Sequence, residues 1–373
     1  MKKTILIFIL LICFCPIVDV CGKENSEIVS IDDFDFRKSG QVLEEAGYKD
    51  FNVNNIIQNI ITGNFSDVFK TCFNIIYNKT IGDVNFIYKL LGNLVLVVVM
   101  SAFFTNFASV FSKDNVSETA FYICYLVAIT LMISLFDSFC VIASDFIRLL
   151  ISFMYGIVPT YFLSVAIVGQ VSAAGFYQLT LIIITVSEFV FLHIIIPLIK
   201  IYVAVSIVNN VSREDFLSKT ANVIKNLINF LTKLFVGIVT SLNVIQALVL
   251  PSIDGAKNTT IRKFVGALPV VGDGTDAMSS ILLGSFNLMK NTIGGFAIIV
   301  IIVLCIVPFL KVQVYSFSMQ IAAALVQPIS DKRITDSFSC LSVGTRMLAR
   351  VIMSGGLLFI ISIAIICMVT GKG

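Results

Sequence analysis

A chain of 373 residues that is 57% hydrophobic and 13% charged, with net charge +3 and mean hydropathy +0.97, cannot clothe itself for water. A soluble domain carries about 25% charged residues, and a larger core does not remove the need for that polar shell, whereas lipid does. An ordinary soluble enzyme and a nucleic-acid binder are excluded on this ground, and a single histidine makes a histidine-based metal site unsuitable.

Residues 1–21 open with Met-Lys-Lys-Thr, continue with the apolar Ile5–Ile12 and break at Pro16. That is a secretory signal pattern, read as a signal peptide or a retained signal anchor because Val18-Asp-Val-Cys21 is a poor cleavage site. Either form exports the segment after it. Residues 22–85 differ from the rest of the chain. Between Lys23 and Asp83 there are ten acidic and six basic side chains, net −4, which suits an extracytoplasmic segment. Within it, Ile56/Ile57, Ile60/Ile61, Phe65, Val68/Phe69, Cys72/Phe73 and Ile76 recur at helical period, with an interruption expected at Gly63. Such a helix suits the membrane face, a partner, or this protein's own body.

Residues 86–373 read as a polytopic membrane domain, all α-helical, with about seven or eight spans. These are 89–110, 121–143, 149–168 with Pro159, 177–196 with a kinked extension past Pro197 to Val208, 227–250, 264–288, 292–315 and 347–370. The stretch 209–226 is polar, with Ser212-Arg-Glu-Asp as a helix start. The segment 264–288 is ambiguous, being rich in glycine and serine and carrying Pro269, Asp273 and Asp276. As a crossing it puts Lys257, Arg262, Lys263, Lys332, Arg333, Arg346 and Arg350 on the cytoplasmic face. As a re-entrant hairpin it does not. The positive-inside bias favours the crossing. The nine cysteines show no zinc or redox spacing and read as small apolar residues.

Two motifs match in kind: Pro197-Leu-Ile-Lys200 and Pro308-Phe-Leu-Lys311. Each follows a span and leads to a charged stretch, and each has an upstream proline, Pro159 and Pro269, at similar distance. They suggest a three-span repeat over 149–250 and 264–370, whose odd span count would invert the second copy. Chance similarity among apolar residues is the competing explanation.

Ionisable groups in or beside the spans are the candidate functional residues: Asp137, Glu188, His193, Asp273 and Asp276, with Lys89, Lys200, Lys290 and Lys311. A charge at the bilayer centre costs about 2.5–3.5 kcal/mol, so these must face other helices or a wet cavity. They suit either a polar pathway or interhelical pairing, with Lys89, Lys200 and Lys311 expected to snorkel.

Further motifs run through residues 190–333: Pro197-Leu-Ile-Lys200, Ser252-Ile-Asp254-Gly255, Pro269-Val-Val-Gly272, Asp276-Ala277, Lys290-Asn291, Pro308-Phe-Leu-Lys311 and above all Ala322-Ala-Ala-Leu-Val-Gln327-Pro328-Ile-Ser-Asp331-Lys332-Arg333. In these the chain resembles the stage III sporulation protein AE family of endospore-forming bacteria. Asp273-Gly274 departs from the small or apolar residues usual there. The resemblance implies a permease-like, non-enzymatic subunit, without cofactor, in the mother-cell-derived membrane around the forespore. Its implied partners are other membrane subunits of the complex, a cytoplasmic ATPase and a forespore-membrane partner, in a channel that supports late forespore gene expression. Residues 22–85 would lie between the two membranes. The alternatives are a stand-alone transporter coupled through Glu188, Asp273 or Asp276, and a scaffold that recruits partners. No Walker, His-Glu-x-x-His or Gly-x-Ser-x-Gly sequence supports an enzyme.

Overall fold

In a computed structural model, the described residues are 36–48, 51, 53–81, single positions between 92 and 103, 114–167, 173–211, 216–265, 274–328 and 332–370. The signal expected at 1–21 and the continuous span expected at 89–110 lie outside them, as do Pro269, Gly272, Asp273 and Asp331. Every described element is helical: α1 Arg37–Glu45, α2 Val53–Ile61, α3 Phe65–Ile81, α4 Asp114–Ile167, α5 Ala173–Phe189, a π-helical turn Val190–Ile195, α6 Ile196–Val211, α7 Ser218–Val265, α8 Gly274–Val326 and α9 Lys332–Thr370. Five segments are long and apolar enough to cross a bilayer: Tyr125–Ala166, Gly175–Asn210, Ser218–Gln246, Lys290–Leu325 and Lys332–Cys367. The protein is an all-α, multi-pass membrane protein. In lipid, helices satisfy every backbone group internally, which is why these apolar runs take no other form.

The helices are longer than the spans read from hydropathy. The runs 121–143 and 149–168 are one helix, α4, whose 54 residues measure about 80 Å. Asp145 and Arg148 interrupt the hydropathy between them, but neither breaks a helix, and Ala143, Phe146, Ile147 and Leu150 keep one buried face through the junction. In the same way α8 carries the end of 264–288 and all of 292–315 past Lys290 without a break. The kink expected at Pro197 is a π-helical turn ending two residues before it, which lets the i−4 position shift where proline donates no hydrogen bond. Ser212-Arg-Glu-Asp lies outside the described residues. The polar stretch re-enters helix at Ser218, where Asn209 Oδ1 accepts the Leu217 N–H at 2.7 Å.

The centre of the bundle is the α8–α9 pair. In their most apolar windows 72% and 61% of residues are buried, against 22% in α7, so α7 is peripheral and α8 and α9 carry the core. They run antiparallel, with Gly294 beside Cys367, Gly356 beside Cys305 and Ser316 beside Ser342. α4 runs parallel to α9, from Tyr125–Ser337 at one end to Tyr161–Cys367 at the other. α6 runs antiparallel to α9, with Val203 against Gly344 and Asn210 beside Ser337. α7 runs parallel to α9, from Asn229–Arg350 to Asn243–Ser362. Glycines on α9 therefore serve close helix approach: a Cβ on Gly355 would meet Ile147 Cδ1 at 2.9 Å and one on Gly356 would meet Cys305 Sγ at 2.7 Å. A Cβ on Gly295, by contrast, meets nothing within 4 Å.

This arrangement corrects the expected topology. α7 passes Asn243 towards the end where α9 finishes, whereas 327–345 is where α9 begins. Residues 251–263 and 327–345 thus lie at opposite ends of the bundle and do not share one face. The positive-inside argument weighed Lys257, Arg262 and Lys263 together with the later arginines, and helix continuity through 274–326 separates them.

Residues 36–81 dock on the bundle. α2 and α3 break at Gly63, as its position in the periodic run implied. There φ is 71°, and Asn64 N–H reaches Asn59 O at 2.8 Å while Gly63 N–H reaches Ile60 O. This left-handed residue closes the helix end by the Schellman pattern. Buried Ser39 and Leu43 turn α1 onto α4, and a Cβ on Gly156 would stand 3.1 Å from the Ser39 backbone nitrogen. Phe36 meets Phe296 of α8 edge-on at 6.3 Å, and α2 and α3 also pack along α8. Burial pushes the Tyr48 phenol up to about 12 and the Cys72 thiol up to about 11, so both stay neutral at physiological pH.

Candidate functional site

The ionisable residues singled out in the sequence do not converge on one cavity. Asp137 of α4 and Lys200 of α6 form an ion pair at 2.5 Å, with 58% and 47% of their side chains exposed. Lys200 was expected to snorkel, but antiparallel packing of α4 on α6 brings a carboxylate to its ammonium. His193, in the π-helical turn, is exposed and stacks on Phe189 at 5.4 Å. Glu188, on α5, is half-buried and makes no hydrogen bond or ion pair among the described residues. The side chains of Asp254 and Asp276 and the surroundings of Gly255 lie outside what is described, and Asp273 is wholly outside.

The repeated motif takes two environments. Pro197 is half-buried and Lys200 is exposed after the π-helical turn, whereas Pro308 is buried inside α8 and Lys311 is half-buried. Gln327 and Pro328 form an exposed turn after α8, with Gln327 N–H donating to Ala323 O at 3.0 Å. Lys332 is exposed at the start of α9 and Arg333 is half-buried. The family-like exit is therefore the α8–α9 corner at the end of the bundle remote from α1–α3.

Polar residues, most of them uncharged and inconspicuous in the sequence, join the helices. Ser316 and Ser342 each donate to the other's carbonyl at 3.2 Å, and Gln320 Nε2 donates to Ser342 Oγ at 2.9 Å. Tyr125 and Ser337 are 3.0 Å apart, and Asn210 Nδ2 donates to Ser337 Oγ at 3.4 Å and to Cys340 Sγ at 3.5 Å. Asn243 donates to buried Ser362 at 2.7 Å, and Arg350 donates to Asn229 at 2.6 Å. Serine, asparagine and tyrosine at helical period look like ordinary polar substitutions in an apolar run, so only pairing across helices reveals their use. In the membrane such bonds are each worth about 0.6 kcal/mol on average and add specificity of register more than bulk stability. Lys290 is fully buried at the α8 end that meets Cys367.

What this arrangement does chemically is lock helices. The void enclosed between α4, α5, α8 and α9, beside Thr180 and Ser362, is about 10 Å³, room for about one water. Among the described residues there is no group of three or more His, Cys, Asp or Glu able to hold a metal. The Asp137–Lys200 pair is expected to couple weakly in detergent because both partners are exposed. Asp137→Asn and Lys200→Met each lower the melting temperature, and the double variant restores part of the loss, with a coupling energy of about 1 kcal/mol or less. Thermal unfolding of the purified single and double variants measures it, and strictly additive losses would show that the pair contributes nothing.

Comparison with known proteins shows the family. A family model described as stage III sporulation protein AE matches residues 51–370. The chain is also 26% identical over 305 residues, 80% of its own length and 74% of the relative's, to stage III sporulation protein AE of Bacillus subtilis (strain 168). No solved structure matches. A match that runs from α2 to the end of α9 takes in α2, α3 and all five long helices, so this chain belongs to the stage III sporulation protein AE family.

Proposed function

We propose that this chain is the polytopic membrane subunit of a transenvelope sporulation complex that links mother cell and forespore and supports late forespore gene expression. The observation that carries the reading is the family match over 51–370. The geometry supports it by using the intramembrane polar residues to hold helices in register. The subunit sits in the mother-cell-derived membrane around the forespore, with residues 22–85 between the membranes. It works beside other membrane subunits of the complex, a cytoplasmic ATPase and a forespore-membrane partner, and itself catalyses no reaction. Deleting the gene in a sporulating host should arrest development after engulfment and silence a late forespore reporter, with both restored by the intact chain. A deletion strain that sporulates and keeps the reporter active would refute the assignment.

One observation favours a second reading, an ion-coupled transporter: half-buried Glu188 has no partner among the described residues. The subunit reading expects Glu188→Gln and Asp276→Asn to leave the count of heat-resistant spores at the wild-type level. Coupled transport would require both charge-neutral variants to lose it, because proton or ion coupling depends on the titrating carboxylate.

A further inference from the structure

We propose that the outer face of α7 binds an anionic phospholipid, its phosphate seated between Lys233 and Arg350 and an acyl chain lying along the apolar stripe beyond them. The site is independent of the complex-subunit reading, because it concerns the lipid that this fold selects and not the complex that it joins.

The charges of α7 set where that lipid must be. Between Asn209 and Lys233 the chain carries Arg213, Glu214, Asp215, Lys219, Lys225 and Lys233 itself, so hydrocarbon does not accommodate that stretch. Residues 234–253 hold no charge, and Asp254 and Lys257 follow. This is the only charge-free stretch of its length in α7. About 20 residues make about 30 Å of helix, the thickness of the hydrocarbon layer. Lys233 therefore stands where that layer begins.

Packing brings a second cation to the same place. Asn229 lies four residues before Lys233, on the same face of α7, and Arg350 of α9 donates to Asn229 Oδ1 at 2.6 Å. That bond holds the guanidinium beside α7 and uses one of its five donors. Lys233 and Arg350 are both exposed, and neither makes an ion pair among the described residues, whereas Lys200 has Asp137. Two neighbouring cations with no carboxylate repel each other. A phosphate between them removes that repulsion and accepts charge-assisted hydrogen bonds from both.

The surface that continues from Lys233 suits an acyl chain. A shallow hollow of about 580 Å³ is lined there by Phe230, Leu234, Gly237, Ile238, Leu242 and Ile245, which recur on one helical face. The five apolar side chains are exposed. Gly237 leaves a gap between Lys233 and Ser241, and even an added Cβ there would meet nothing within 4 Å. From Lys233 to Ile245 the stripe runs about 18 Å, close to the depth of one leaflet. A zwitterionic lipid carries its own cation beside the phosphate and gains less from the pair, so the site prefers a headgroup with net negative charge.

The chain contains no tryptophan, so a single introduced one reports its surroundings without background. Ile238→Trp places it in the hollow, and Ile245→Trp replaces it if that variant fails to fold. The full chain is reconstituted in phosphatidylcholine vesicles with a minor fraction of phosphatidylglycerol. Bromine is carried either on the acyl chains of the phosphatidylglycerol or on an equal fraction of the phosphatidylcholine. Brominated phosphatidylglycerol should quench the α7 probe at least about twofold more. Lys233→Gln should reduce that preference and Lys233→Gln with Arg350→Gln should abolish it, the exposed Lys233 substitution serving alone if the pair does not fold. Ile182→Trp, exposed on α5 in a stretch without a cation, should be quenched equally by both lipids. Equal quenching of the α7 probe by the two lipids overturns the proposal, as does a preference that survives Lys233→Gln or is matched at Ile182→Trp. Absence of quenching by either lipid also overturns it, because protein would then cover the face.

Discussion

Gly344→Leu should abolish accumulation of the folded protein. Gly344 lies on α9 where α4 and α6 close on it together. A Cβ there would overlap Val203 Cγ2 and stand 2.9 Å from Phe136 Cε2 and 3.2 Å from Phe136 Cζ. Val203 is buried and β-branched, so it cannot swing away, and Phe136 is itself 4% exposed. Added core methylenes typically cost about 1–3 kcal/mol, and leucine adds four carbons where the first already overlaps, so the loss should exceed about 3 kcal/mol. The damage reaches beyond one contact, because the Tyr125–Ser337–Asn210 and Ser316–Ser342–Gln320 bonds in the preceding turns of α9 depend on the same helix spacing. Gly344→Ala should give a milder loss of the same sign. Gly295→Ala is the control: its Cβ meets nothing within 4 Å, and alanine is the better helix former by about 1 kcal/mol. Yield and melting temperature in detergent measure all three. Wild-type stability of Gly344→Leu would show that α9 does not approach α4 and α6 as closely as described.

Gly156→Leu should release α1 from α4 while leaving the long helices assembled. The atoms a Cβ would meet are backbone: Ser39 N at 3.1 Å, Ser39 Cα at 3.2 Å and Lys38 C at 3.4 Å. A side chain can change rotamer to make room, but backbone moves only if the whole helix moves. α1 is held besides by Leu43 and by Phe36 against Phe296, a small interface for a nine-residue helix. Limited proteolysis of the purified protein in detergent should therefore cut near residues 36–51 much faster in the variant, with the melting temperature of the remainder little changed. Under the proposed function, sporulation should also fall, because α1 would no longer be held against α4. Unchanged cleavage would mean that Gly156 is not the seat of α1.

These two sites were legible to different degrees. The Gly355–Gly356 and Gly294 faces stand out in sequence as paired small residues within spans, and two helices do close on them. Gly344 is one glycine amid Ser342, Val343 and Thr345, and nothing local distinguishes it. Its role appears only when Phe136, more than two hundred residues earlier, lies against it. The Asp137–Lys200 pair has the same character. Each residue was conspicuous as a charge in an apolar run, but its partner was set by the antiparallel packing of α4 on α6. Hydropathy also misplaced boundaries where charge and helix part company, as at Asp145–Arg148 and Lys290. A window average falls at a charge, while the backbone hydrogen bonds continue through it.

The sequence alone determined the solvent and the class of structure. Too little charge for water, about 20 apolar residues at a time and a basic-then-apolar start leave a helical membrane protein as the consistent outcome, and the Gln327–Arg333 exit carried the family. These are properties of composition and of short windows, and they act wherever the segment ends up. The tertiary structure decided which spans are one helix, which ends of the bundle the loops occupy, which polar groups pair, and that 36–81 lies against α4 and α8. Those outcomes depend on contacts between residues far apart in the chain, where two apolar faces are equally content with many neighbours and only shape and polar pairing select one.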